Sequence, residues 1–160
     1  MDGHGWVTLL TIMCPDNVTA RISPAEVEAA VRSFWELFAA KKTDQWQHFY
    51  ADVALVFGTA SKRPEPARLV VLRRQREYLA SSARMKIDVG SIDVELLSAD
   101  CAVAAYLMRL HAEQIAKMSA AGHKEMEEHL ENARVTHVFQ RHNDGSLRIV
   151  HEHISAPFTL

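Results

Sequence analysis

The apolar residues of this chain change period once, near residue 84, and that change sets most of what the chain can fold into. Before it, Val27, Ala30, Val31, Phe34, Leu37 and Phe38 recur at helical spacing, which gives one apolar face about four turns long. Ser23-Pro24-Ala25-Glu26 opens this helix. Ser23 can cap, Pro24 loses nothing by lacking an N–H, and Glu26 completes a capping box. Lys41 and Lys42 suit its negative end. Thr43 and Asp44 then offer a cap for a short second helix carrying Trp46, Phe49 and Tyr50. Ala54 to Phe57 reads as a buried strand stopped by Gly58, and residues 61–66 as a polar loop. Residues 67–80 form a third helix with Val71, Leu72, Tyr78 and Leu79 inward. Arg68, Arg73, Arg74 and Arg76 make its other side a solvated basic face paired with local acids such as Glu77.

After residue 84 the apolar positions alternate as in strands. Ile87 and Val89 lie on one parity and Ile92, Val94 and Leu96 on the other, so a β-bulge is expected at Gly90-Ser91. Residues 101–115 start apolar on both faces, which places that strand centrally or against another subunit. Residues 116–131 admit either a helix or a long hairpin with Ala120-Ala121-Gly122 at its tip, and the hairpin is the preferred reading. Two further strands, 134–141 and 147–155, flank Asn143-Asp144-Gly145-Ser146. Asp-Gly is a favoured pair for a two-residue hairpin turn. Helices grouped before strands indicate an α+β domain. A cone-like curved sheet, antiparallel or mixed, would wrap the three N-terminal helices and leave a central pocket between them.

Composition bounds the function more than it names it. The 160 residues suit one domain over 23–160, with residues 1–22 as a lead-in. Lys and Arg number 18 against 20 Asp and Glu, a net charge of −2 that offers no footprint for nucleic acid. The apolar run Trp6–Cys14 follows Asp2 rather than positive charge and is far shorter than the roughly 20 residues a membrane span needs. Cys14 and Cys101 are the only cysteines, as in a reduced cytoplasmic protein.

Four segments together resemble the nuclear transport factor 2-like superfamily, its SnoaL-like branch in particular. They are Phe49-Tyr50-Ala51-Asp52-Val53-Ala54-Leu55-Val56-Phe57, Asp100-Cys101-Ala102-Val103-Ala104-Ala105-Tyr106, Thr136-His137-Val138-Phe139, and Asp144 through Ser155. The last three are most similar to the association domain of calcium/calmodulin-dependent protein kinase II. The resemblance covers roughly residues 24–157 and implies a fold and a homodimer through the outer sheet face. It leaves function open among enzymes, transport factors and assembly domains. The general-base Asp of ketosteroid isomerases aligns with Gly58 here and their oxyanion-binding Tyr with Phe34, so that activity is not expected.

With Asp144 and Gly145 as the turn, His137 faces Glu152, Phe139 faces Val150, Thr136 faces His153 and Val138 faces His151. A His opposite a Glu on an apolar wall is a candidate catalytic pair, His137 and Glu152; a purely structural hydrogen-bonded pair is the competing reading. The kinase resemblance implies an inward Arg near Arg109, and Arg109 and His111 share a face. Together with Tyr50, Trp46 and Phe139 they are the candidate ligand-binding residues, suited to a small, partly apolar and anionic molecule. His151 and His153 point one way, but the nearest same-face candidate for a third ligand is Thr136, a poor one, so no metal and no cofactor is expected. Three functions remain: a small-molecule-binding protein, preferred; a cofactor-free acid–base enzyme using His137 and Glu152; and an oligomerisation domain.

Overall fold

The computed structural model describes residues 21–59, 61–114 and 126–156. Most of the lead-in therefore lies outside the described residues, as does the tip Ala120-Ala121-Gly122. No described helix is long and apolar enough to cross a membrane.

Helix α1 spans Pro24–Ala39, and the Ser23 hydroxyl accepts from the Glu26 amide at 3.3 Å. Only this half of the capping box forms, because the Glu26 carboxylate pairs with Arg141 instead. Val27, Val31, Phe34, Trp35 and Phe38 form its buried face. Lys41, at φ 58°, turns the chain out of the helix. Helix α2 (Thr43–Trp46) and a 3-10 turn (Gln47–Phe49) lead into strand β1 (Tyr50–Phe57), which starts four residues earlier than the alternation alone suggested.

Part of the segment read as a loop is a strand. Glu65–Pro66, β2, pairs antiparallel with β1. The third helix opens with a π-helical stretch, Ala67–Val71, and continues as α3 (Leu72–Ser81). Its basic side finds acids on β1 and β2 rather than Glu77: Arg68 pairs with Asp52 and Arg74 with Glu65, each at 2.7 Å.

Strands β3 (Ser82–Leu96), β4 (Cys101–Gln114), β5 (Met126–Arg141) and β6 (Leu147–Ser155) complete a six-stranded mixed sheet, ordered β2-β1-β6-β5-β4-β3. Strands β4 and β5 pair antiparallel as far as Gln114 and Met126, so residues 126–131 are strand, in line with the hairpin reading; residues 115–125 lie outside the described residues. The bulge at Gly90-Ser91 is present: Val89 pairs with Met108 but Ile92 with Tyr106. A Cβ at Gly90 would sit 3.3 Å from the Leu107 carbonyl oxygen, a close approach that favours glycine. On the other side of β4, Met108 pairs with Ala133 but Leu110 with Leu130, so Glu131 and Asn132 form a second bulge, with Asn132 at φ 53°. Bulges on both neighbours of one strand bend the sheet around the helices.

The outer face of β4 is less covered than its composition suggested. Val103 and Ala105 are half-buried and Leu107 is exposed, whereas Ala102, Ala104, Tyr106, Met108, Leu110 and Ala112 are buried beneath the helices.

Candidate functional site

The last hairpin corrects one expectation and keeps another. The strands end at Arg141 and Leu147, which pair, so the connection is five residues rather than two. Phe139 consequently pairs with Ile149, not Val150. Val150 is then an extra residue in β6, and beyond it His137 faces Glu152, Thr136 faces His153 and Val138 faces His151, as expected.

His137 and Glu152 lie in a buried hydrogen-bonded chain. His137 Nε2 is 2.8 Å from Glu152 Oε2, and the Tyr50 hydroxyl donates to the same oxygen at 2.9 Å. His137 Nδ1 is 3.2 Å from the Tyr106 hydroxyl, whose oxygen accepts from the Trp35 indole N–H at 2.7 Å. Exposure is 0% for His137 and 3% for Glu152. Four elements supply these groups besides β5: α1 gives Trp35, β1 Tyr50, β4 Tyr106 and β6 Glu152. Aromatic rings enclose the imidazole, with the Phe34 centroid 5.1 Å away, Phe139 5.6 Å away and Trp35 stacked at 6.2 Å.

Burial raises the Tyr50 phenol well above the ordinary tyrosine value, and the neighbouring Glu152 charge raises it further. Burial also raises Tyr106, against the smaller opposing effect of the Trp35 hydrogen bond. Both folded-state values exceed the unfolded value near pH 10. The stability these phenols contribute is therefore complete below that pH and is lost as pH rises through the folded values, since the unfolded chain releases protons that the folded one keeps. An alkaline titration followed by the ultraviolet tyrosinate band should show two of the three tyrosines silent around pH 10 and ionising only as the protein unfolds.

Glu152 is the member of the pair that reaches open space. It lines a cavity of about 210 Å³ whose other walls include Trp35, Phe38, Val56, Met108, Leu110 and Ile154, with Arg74, Gln75 and Tyr78 from α3. Its side-chain contacts to Tyr50 and His137 both fall on Oε2. His137 stands behind the carboxylate. Gly58 lines the cavity and Phe34 is buried beside His137, so neither proton-handling group of the isomerases has a counterpart at its aligned position.

The remaining expected site residues lie elsewhere. Trp46 and Phe139 are buried in the aromatic core, off the cavity wall. Arg109 is on the outer face, 3.4 Å from Glu131, and half-buried His111 shares that parity. The physical reason is that both bulges fall on the partners of β4. Its own alternation therefore runs unbroken, and Tyr106, Met108 and Leu110 take the inner face. Among the described residues no three His, Cys, Asp or Glu side chains converge as a metal site. Tyr106, Arg74 and Tyr78 were not among the expected residues. The one signal for Tyr106 was register: Ala104 faces His137, so Tyr106 sits diagonally beside it on the same face.

The model of the SnoaL-like domain matches residues 27–159. The chain belongs to that family. Solved structures similar to this SnoaL-like domain include a nuclear transport factor 2-like protein of unknown function from Pseudomonas putida. It is 17% identical, with 85% of this chain and 87% of that chain covered at a TM-score of 0.66. A provisionally named calcium/calmodulin dependent protein kinase II association domain from Xanthomonas campestris is 20% identical, covering 88% and 96% at a TM-score of 0.64. A provisionally named dehydratase of the same superfamily from Streptomyces avermitilis is 14% identical, covering 84% and 97% at a TM-score of 0.68. At these identities the likeness shows the fold alone. No curated protein matches the sequence.

Proposed function

We propose that this SnoaL-like domain holds a small, mostly apolar molecule in the cavity and takes a proton from it with Glu152, as a cofactor-free acid–base enzyme of the dehydratase kind. The observation that carries the reading is a carboxylate on a largely apolar cavity wall, whose two side-chain contacts, to Tyr50 and His137, both fall on one oxygen. A general base has to lie within hydrogen-bond reach of the proton it removes, and Oε1 has that access. The cavity, about 210 Å³, suits a molecule of roughly one ring, given that about 150 Å³ holds benzene. The dehydratase named among the structural relatives is consistent with this chemistry.

The ligand class shifts accordingly. An anionic molecule was expected from Arg109 and His111, which lie on the opposite face of β4. A carboxylate facing the cavity favours instead a neutral occupant with a hydroxyl or an acidic C–H directed at it.

The test needs no known substrate. Deuterium exchange at the α-carbons of cyclohexanone in heavy water, followed by NMR, is expected to run faster with the protein than with buffer. Glu152→Gln should reduce the enhancement by about 100-fold. Exchange that is absent, or equal in the variant, overturns the catalytic reading. If one-ring phenols still raise the melting temperature of the wild type but not of Glu152→Gln, binding alone is the function.

A further inference from the structure

The buried hydrogen-bonded chain has one arrangement of protons that satisfies every member, and it starts at Trp35. An indole N–H donates and cannot accept. The Tyr106 oxygen accepts from it at 2.7 Å, and the Tyr106 hydroxyl must then place its own proton. His137 Nδ1, 3.2 Å away, is the acceptor within reach. At the other end Glu152 Oε2 accepts from the Tyr50 hydroxyl and lies 2.8 Å from His137 Nε2.

We infer that Trp35 and Tyr106 are positioning residues that hold His137 as its neutral Nε2–H tautomer, so that His137 and Tyr50 both donate to Oε2 of Glu152 and Oε1 is the basic atom presented to the cavity. The two other protonation states fail on the same geometry. A neutral Nδ1–H ring sets two acceptors, Nε2 and Oε2, against each other at 2.8 Å. An imidazolium aims a second donor at the Tyr106 oxygen and leaves the Tyr106 proton without an acceptor in the core. Neither phenol can escape by ionising, since burial holds both protonated through the neutral range.

The tautomer stands on geometry alone; its functional consequence rests on the reading of Glu152 as the cavity base. A donor-only group at the start of the chain orders three hydrogen bonds in sequence, and Tyr50 adds a second donor at their end. The base is thereby oriented before any substrate arrives, and no side chain has to reorganise during proton transfer.

The full chain, labelled with nitrogen-15 at histidine, tests this by two-bond proton–nitrogen correlation near neutral pH. One imidazole is expected to show a protonated Nε2 and an unprotonated, hydrogen-bonded Nδ1. In Tyr106→Phe, which keeps the ring and loses only the hydroxyl, the Nδ1 resonance of that imidazole should move to the non-bonded position. Trp35→Phe should move it in the same direction by less. A purely structural role for Tyr106 would leave that resonance in place, and that result overturns the inference. So does a wild-type His137 that is protonated at Nδ1 or at both nitrogens, and the wild-type spectrum decides even if a variant fails to fold. The readout involves no substrate. Absent cyclohexanone exchange would therefore remove the proposed reaction and leave the tautomer assignment intact.

Discussion

Replacing His137 with leucine should lower the stability of the domain by about 3–5 kcal/mol, read from the midpoint of chemical denaturation. The volume is nearly kept, so cavity formation contributes little. The loss comes from two buried groups orphaned together, at about 1–3 kcal/mol each and more for a charged one. The Glu152 carboxylate loses one of its two donors, and the Tyr106 hydroxyl loses its acceptor. The informative comparison is a variant in which the whole polar chain becomes apolar: Tyr50→Phe, Tyr106→Phe, His137→Leu and Glu152→Leu together. Replacing all partners by apolar groups of similar shape is often neutral or stabilising. This protein should therefore regain most of the stability lost by the single variant while showing no proton exchange. A four-fold variant as unstable as His137→Leu would mean that the chain is kept for the fold rather than for chemistry.

Phe34→Ala is expected to cost about 3–5 kcal/mol as well, by a different route. Phe34 is 1% exposed and its ring lies 4.8–5.7 Å from those of Trp35, Trp46, Phe49, Tyr50 and His137. Rigid aromatic neighbours on several elements cannot collapse into the space left behind, so the cavity persists and the upper half of that range applies. Phe34→Leu, which fills most of the volume, should recover more than half of the loss. Because Phe34 abuts both Tyr50 and His137, Phe34→Ala should also weaken proton exchange without touching a group that transfers protons.

Much of the fold was legible because it is written in local periodicity. The face of α1 and the bulge at Gly90-Ser91 each follow from spacing within one segment. The pairing of His137 with Glu152 was also read correctly, but for an incomplete reason. The loop is longer than Asp-Gly alone implies, and the extra residue at Val150 restores the expected register beyond it. Two departures cancel, and alternation cannot report either one. Arg109 and His111 show the reverse case. Their spacing correctly puts them on one face, yet which face that is depends on bulges in the neighbouring strands.

From the sequence alone came the α+β class, the three N-terminal helices, five of the six described strands in their order and a histidine set against a glutamate. These depend on interactions a few residues long or on one hairpin, where backbone geometry leaves few choices. Only the tertiary structure decided that β1 lies parallel to β6, which brings Tyr50 to Glu152 across 102 residues, and that α1 carries Trp35 to Tyr106 across 71. Such meetings are set by how a bent sheet closes over its helices. The site joins that one legible hairpin to three segments, α1, β1 and β4, whose approach to it no local signal reports.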